Sequence, residues 1–193
     1  MNAIKRGAVT ALLLLLALAA LFAGQRAFWR AAYPMRYSGA VERQAEAFGL
    51  SPELLYAVIR TESGFDPVSR SSVGAVGLMQ LTPDTCRWVR WRLGEIDRLG
   101  WPDDDGEIET LLLDPEENIR LGAATLSLLL ERFGNETNAL AAYHAGWGTV
   151  SRWLADERCS PDGKTLSVIP YGDTGRYVEK VTRTAEIYRK LYA

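Results

Sequence analysis

Glu62 closes an apolar helical pattern formed by Leu54, Leu55, Val58 and Ile59. It follows Ile59 by three residues, Val58 by four and Leu55 by seven, so its carboxyl group shares the face that turns toward a core. Gly64 follows closely, which puts Glu62 near the negative end of the helix. Partial burial and that helix end both disfavour a carboxylate and raise its pKa. A carboxyl group tuned upward is what general acid catalysis near neutral pH requires. The competing reading is a glutamate whose stem packs while its head reaches water. Asp66, the nearest acid, precedes Pro67 and suits a turn better than a catalytic pair.

Metal chemistry has little support. The chain has one histidine, His144, and two cysteines, Cys86 and Cys159, without metal-ligand spacing. Outside the cytoplasm the cysteines could pair; two unrelated thiols fit equally well. No cofactor is expected. Residues 37–193 carry 17 basic against 24 acidic side chains, which gives no support for nucleic-acid binding. No feature specifies a protein partner.

Helices must position these groups, because strand signals hardly occur. Ser51-Pro52 and Thr82-Pro83 read as an N-cap with proline at the first helical position. The second of these helices is expected to run to Gly94. Residues 97–110 read as a polar loop. Asp114-Pro115-Glu116-Glu117 resembles a capping box that opens a long helix closed by Gly134. Asn138–Ala145, Val150–Ala155 and Thr174–Leu191 complete the helical segments, with 156–172 as a loop. At 193 residues this is one all-α domain behind an N-terminal segment.

That segment, residues 1–36, holds five basic groups and no acidic one. Its run Ala8–Gly24 is uncharged and would be about 26 Å long as a helix, against roughly 30 Å of bilayer hydrocarbon. Phe28 and Trp29 follow at an interfacial position. The run reads as an uncleaved transmembrane anchor. A cleaved signal peptide would have to use Leu21-Phe22-Ala23, a poor cleavage box. Basic residues flank both ends, so orientation is not set by charge.

Glu62-Ser63, Gly77-Leu78-Met79-Gln80, Ala142-Tyr143-His144-Ala145-Gly146, Ile169-Pro170, Asp173-Thr174 and Tyr177-Val178 occur in that order. Over residues 37–192 this set resembles the catalytic domain of the soluble lytic transglycosylases, relatives of goose-type lysozyme. The layout is similar to small membrane-anchored members found in Gram-positive bacteria. The resemblance implies a lysozyme-like α domain. It also implies cleavage of the β-1,4 bond between N-acetylmuramic acid and N-acetylglucosamine in peptidoglycan, with formation of a 1,6-anhydro end. The nucleophile is then the substrate's own 6-hydroxyl, so one carboxyl group suffices where ordinary glycosidases use two.

By the same resemblance Glu62 is the acid and base, and Ser63 a local structural hydroxyl. Ser71, Met79, Gln80, Tyr143 and Tyr177 border the sugar. A plain loop Ser71, a core Met79 and a helix-face core Tyr177 are the alternatives. Two positions depart from the family. His144 replaces an asparagine, putting a larger ionisable ring there, and Asp173 replaces a glutamate with shorter reach, to cap the last helix or orient groups at the sugar. The implied location is the cytoplasmic membrane, single-pass, with the catalytic domain on the extracytoplasmic face, or secreted if the segment is cleaved. Rivals are a hydrolytic muramidase on the same fold, a weakly active peptidoglycan-binding scaffold, and an enzyme acting on chitin.

Overall fold

Caps and glycines punctuate this chain much as its sequence suggests. The structure is a computed structural model that describes residues 3–97 and 104–192. Among the described residues it forms α1 (Ala3–Ala32), α2 (Ser38–Phe48), α3 (Pro52–Glu62), α4 (Pro83–Arg92), α5 (Asp105–Leu112), α6 (Pro115–Phe133), α7 (Glu136–Ala145), α8 (Trp147–Leu154) and α9 (Gly172–Tyr192). The only bridges among them are isolated ones, Arg70 with Val76 and Val76 with Leu81. The Ser51 hydroxyl accepts from the Leu54 N–H at 3.2 Å, and Thr82 caps α4 in the same way. Asp114 accepts from the Glu117 N–H at 2.9 Å. The return half of the capping box is not made: the Asp114 N–H donates to the Leu111 carbonyl at 3.2 Å, and the Glu117 carboxylate pairs with Arg120 at 2.7 Å.

Two helices differ from expectation. Residues 97–110 are not all loop: 98–103 lie outside the described residues, but Asp105–Leu112 is helical. Asp104 caps it through the Gly106 N–H at 2.8 Å, and Ile108 and Leu112 bury one face. Two apolar residues one turn apart are easily lost among so many acids. The other, α2, buries Ala40, Val41 and Ala45, where small alanines give little hydrophobic signal.

The core surrounds α6. Its Ile119, Ala123 and Leu126 face α2 and α7, in one cluster with residues of α3 and α9. Its Leu121 and Ala124 pack on the other side with Val89, Ile108 and Leu112. A helix apolar nearly all round is a central one. Cys86 belongs to the second cluster and Cys159 to the first, and both are buried free thiols, not a disulfide.

Among these apolar residues α6 carries one fully buried amide, Asn118. Its Nδ2 donates to the carbonyls of Val76 at 2.9 Å and Leu112 at 2.8 Å, and its Oδ1 accepts from the Met79 N–H at 2.7 Å. The loop before α4 can approach this amide only because residue 77 is glycine. A Cβ there would lie 2.3 Å from Asn118 Nδ2, and its φ is +81°. Glycine at 122 likewise leaves room for the Met79 sulfur, which a Cβ would meet at 2.3 Å.

The N-terminal helix extends beyond the apolar run and continues unbroken to Ala32. Its stretch Ala11–Ala32, 22 residues with mean hydropathy 1.9, is long and apolar enough to cross a membrane.

Asn118→Ala strands the Met79 N–H and the Leu112 carbonyl in a dry interior, at about 1–3 kcal/mol for each unpaired group. The variant is expected to lose at least about 2 kcal/mol in urea unfolding of the detergent-solubilised chain, while Asn135→Ala, a lost cap, loses about 1.

Candidate active site

Helix α3 ends at Glu62, and the chain turns at once. Gly64 and Phe65 both adopt positive φ, +62° and +69°. Ser63 holds this corner. Its hydroxyl donates to the Leu78 carbonyl at 2.8 Å and accepts from the Phe65 N–H at 3.2 Å. Ser63 therefore ties the glutamate to the loop that carries residues 77–80. Asp66 is exposed and accepts from the Val68 N–H at 3.1 Å, a turn contact.

That loop is held through its main chain. Val76 and Leu81 exchange two backbone hydrogen bonds at 2.9 and 3.1 Å. Tyr143, on α7, donates to the Met79 carbonyl at 2.8 Å. The Gln80 amide donates to the Gly77 carbonyl at 2.9 Å and to that of Ser69 at 3.2 Å, with Gln80 itself at φ +50°. The Ser71 hydroxyl accepts from the Ala75 N–H at 3.0 Å.

These elements border a cleft of about 540 Å³. Glu62, Ser71, Gln80, Tyr143 and His144 all line it. Met79 does not: its side chain is fully buried against Gly122, so it offers the cleft no apolar surface and contributes main-chain contacts. Tyr177, on α9, lies behind the wall with 7% of its surface exposed. The His144 ring packs 4.6 Å from the Tyr177 ring, and its Nδ1 lies 3.1 Å from the Thr174 hydroxyl. Asp173 stands exposed in the first turn of α9, where its carboxylate accepts from the Thr174 N–H at 2.8 Å.

Burial pushes the Glu62 carboxyl up from 4.5 to about 7. Two neighbours pull the other way. The Tyr177 hydroxyl, buried without a hydrogen bond of ordinary geometry, approaches the carboxyl, and the Lys180 ammonium favours its charged form. Burial also raises the Tyr143 and Tyr177 phenols well above 10, with the Glu62 charge adding to it. Both remain neutral donors.

Several lining residues were not singled out from sequence. Trp147 follows the Ala-Tyr-x-Ala-Gly motif directly and is 48% exposed, with the Arg132 guanidinium 4.7 Å over its ring. Trp88, on α4, is another aromatic on the lining. Their signal was tryptophan beside a motif or on the face of a capped helix. Asp84 is the other carboxylate on the cleft. Its side chain is 91% exposed and pairs with Arg87 at 3.2 Å. Among the described residues no group of three or more potential ligands could hold a metal ion.

The sequence profile of the "Transglycosylase SLT domain" family matches residues 39–165. The chain is 33% identical over 159 residues to a soluble lytic murein transglycosylase of Salmonella typhimurium, covering 81% of this chain and 23% of that one. It is 41% identical over 95 residues to an endo-type membrane-bound lytic murein transglycosylase A of Klebsiella pneumoniae, covering 49% and 43%. The fold matches the crystal structure of the lytic transglycosylase Slt of Pseudomonas aeruginosa, solved as an inactive glutamate-to-glutamine mutant. The TM-score is 0.67 and the identity 36%, over 82% of this chain and 25% of that one. The chain thus spans about a quarter of the length of the soluble relatives it matches.

The position of Glu62 has a pH signature in stability. With a folded pKa of about 7 against 4.5, the folded chain keeps a proton that the unfolded chain has released between those values. This contribution to stability is therefore full below pH 4.5 and is lost as pH rises to about 7, by on the order of 3 kcal/mol at most. Glu62→Gln removes this loss. Its melting temperature is expected to match the parent in acid and to exceed it above neutrality, as thermal scans across pH would read.

Proposed function

The chain belongs to the Transglycosylase SLT domain family, and on that basis we propose that it is a peptidoglycan lytic transglycosylase. It cleaves the β-1,4 bond between N-acetylmuramic acid and N-acetylglucosamine and leaves 1,6-anhydromuramic ends. The observation that carries this reading is one desolvated carboxyl group, Glu62, on a glycan-sized cleft. Asp84, the other acid there, is solvated and paired with Arg87, and Lys180 is the charge that acts on Glu62.

With its pKa near 7, a large share of Glu62 is protonated at neutral pH, and that form delivers its proton to the glycosidic oxygen as the bond breaks. The resulting carboxylate then takes the proton of the muramyl 6-hydroxyl as that oxygen closes on the anomeric carbon. Proton count and charge balance without a water molecule, so no second acid is needed. The ring closure draws on the advantage of an intramolecular nucleophile. Tyr177 stabilises the carboxylate formed midway. Ser71, Gln80 and Tyr143 border the sugar, and Trp88 and Trp147 offer faces on which sugar rings stack. Residues 37–193 form the catalytic unit, and residues 1–36 hold it on the extracytoplasmic face of the cytoplasmic membrane. The length of α1 supports the anchor, as does a relative described as membrane-bound.

Digestion of purified peptidoglycan, with masses of the released muropeptides, tests the reaction. Anhydro products are expected, and products that all end in reducing sugars would place the enzyme among hydrolases. Glu62→Gln should slow release at least about a hundredfold, and Asp84→Asn should leave most of it.

The rate should fall as pH rises through about 7, where Glu62 loses its proton. Tyr177→Phe removes a hydroxyl that lowers the Glu62 pKa. Its alkaline limb is expected at higher pH than the parent's in rate–pH profiles.

A further inference from the structure

The end of α1 is built into the catalytic domain. Tyr33 continues the helical bonding, its N–H donating to the Trp29 carbonyl at 2.8 Å. The Tyr192 hydroxyl then donates to the Tyr33 carbonyl at 2.7 Å, and the Tyr188 hydroxyl to the Pro34 carbonyl at 3.0 Å. Those two bonds tie the last turn of α9 to the residues leaving α1. The Tyr33 ring meets Tyr188 edge-on at 5.6 Å, and the Arg60 guanidinium lies 4.2 Å over the Tyr33 ring. From α1 itself Arg30 reaches over the Tyr192 ring at 5.5 Å. A flexible tether would show none of this. The contacts also reach α3, because Arg60 stands two residues before Glu62.

Exposed cations surround this junction, with the Glu53 carboxylate beside Tyr188 and Tyr192 as a counter-charge. Arg26 and Arg30 on α1, Arg36 in the connection, and Arg189 and Lys190 at the end of α9 are exposed. None of the five is in an ion pair among the described residues. Phe28 and Trp29 sit one turn before Tyr33, at the level where a helix leaves hydrocarbon for headgroups. With Trp29 at that level, Tyr33 lies only about 6 Å further along the helix axis. The base of the domain is therefore brought against the phosphate layer, where exposed arginines and lysines gain from anionic lipid.

We infer that the aromatic junction clamps the anchor to the domain and seats the domain on phospholipid headgroups in one orientation. This rests on reading α1 as a membrane span. Because α3 carries both Arg60 of the clamp and Glu62, the cleft is then held in fixed attitude to the bilayer. Glycan strands lying close to the membrane become its substrates, rather than any strand within the reach of a loose leash.

The test uses the full chain in phospholipid vesicles, with a dye on Glu136→Cys, an exposed position on α7; the native thiols are buried. Flotation reports anchoring, and time-resolved anisotropy reports whether the domain tumbles separately. The clamp predicts flotation with high residual anisotropy, and a nanosecond tumbling phase in the doubly substituted Tyr33→Ala, Tyr192→Ala chain. Tyr192→Phe, which keeps the ring and loses one hydrogen bond, should gain part of that phase. Residual anisotropy should be higher in vesicles containing anionic lipid than in neutral ones, and salt should erase the difference. A chain that floats but tumbles freely overturns the clamp and leaves the anchor standing. A chain that fails to float overturns the anchor and the clamp with it. Indifference to lipid charge overturns the headgroup seat, and residual anisotropy that tracks protein concentration assigns the surface to a second copy of the chain instead.

Discussion

The buried Asn118 amide fixes the loop on which the cleft is built, with two hydrogen bonds to Val76 and Met79 and a third that ties it to the end of α5 at Leu112. An amide placed among leucines and isoleucines is costly unless every polar atom is paired, and here the pairs are main-chain groups, two of them far away in sequence. The same short loop gives its Leu78 carbonyl to Ser63 and its Met79 carbonyl to Tyr143. Side chains from the end of α3, from α6 and from α7 thus read one stretch of backbone. No one of these contacts is chemistry, yet together they close the wall beside Glu62. Glycine at 77 and 122 is the steric condition for it, since a Cβ at either position would occupy the space of Asn118 or Met79.

Within that wall a carboxyl group is kept where its charge is disfavoured. The opposing influences are graded rather than cancelled. Desolvation raises the Glu62 pKa, while Tyr177 and Lys180 limit the rise to about 7. A group much higher would protonate well but return its proton poorly, and one much lower would seldom be an acid at neutral pH. One carboxyl group serving both proton transfers needs a value between those extremes.

Local rules made much of this readable from sequence. Caps at Ser51, Thr82 and Asp114 and the stop at Gly134 follow from short-range chemistry and stand where expected. Glu62 was legible because helical spacing alone puts it on the core face. Contacts between distant segments were not. Met79 reads as groove-lining by motif, but the gap left by Gly122, 43 residues away, draws its side chain into the core. Asn118 looks like an ordinary polar residue in a capped helix until its partners at 76, 79 and 112 are known. Helix α2 escaped notice because alanine carries helix propensity with little apolar contrast. The short α5 was masked by its acids, and Trp147 had only its place beside a motif to mark it.

The account stands on the ionisation of one side chain, which carbon NMR of carboxyl-labelled glutamate in the full chain reads directly. Assigned by its absence in the glutamine variant, the Glu62 resonance is expected to titrate near 7, with the exposed glutamates near their ordinary value. A Glu62 resonance that titrates near 4.5 would contradict the account, because the group would then be a solvated carboxylate with no proton to give at neutral pH.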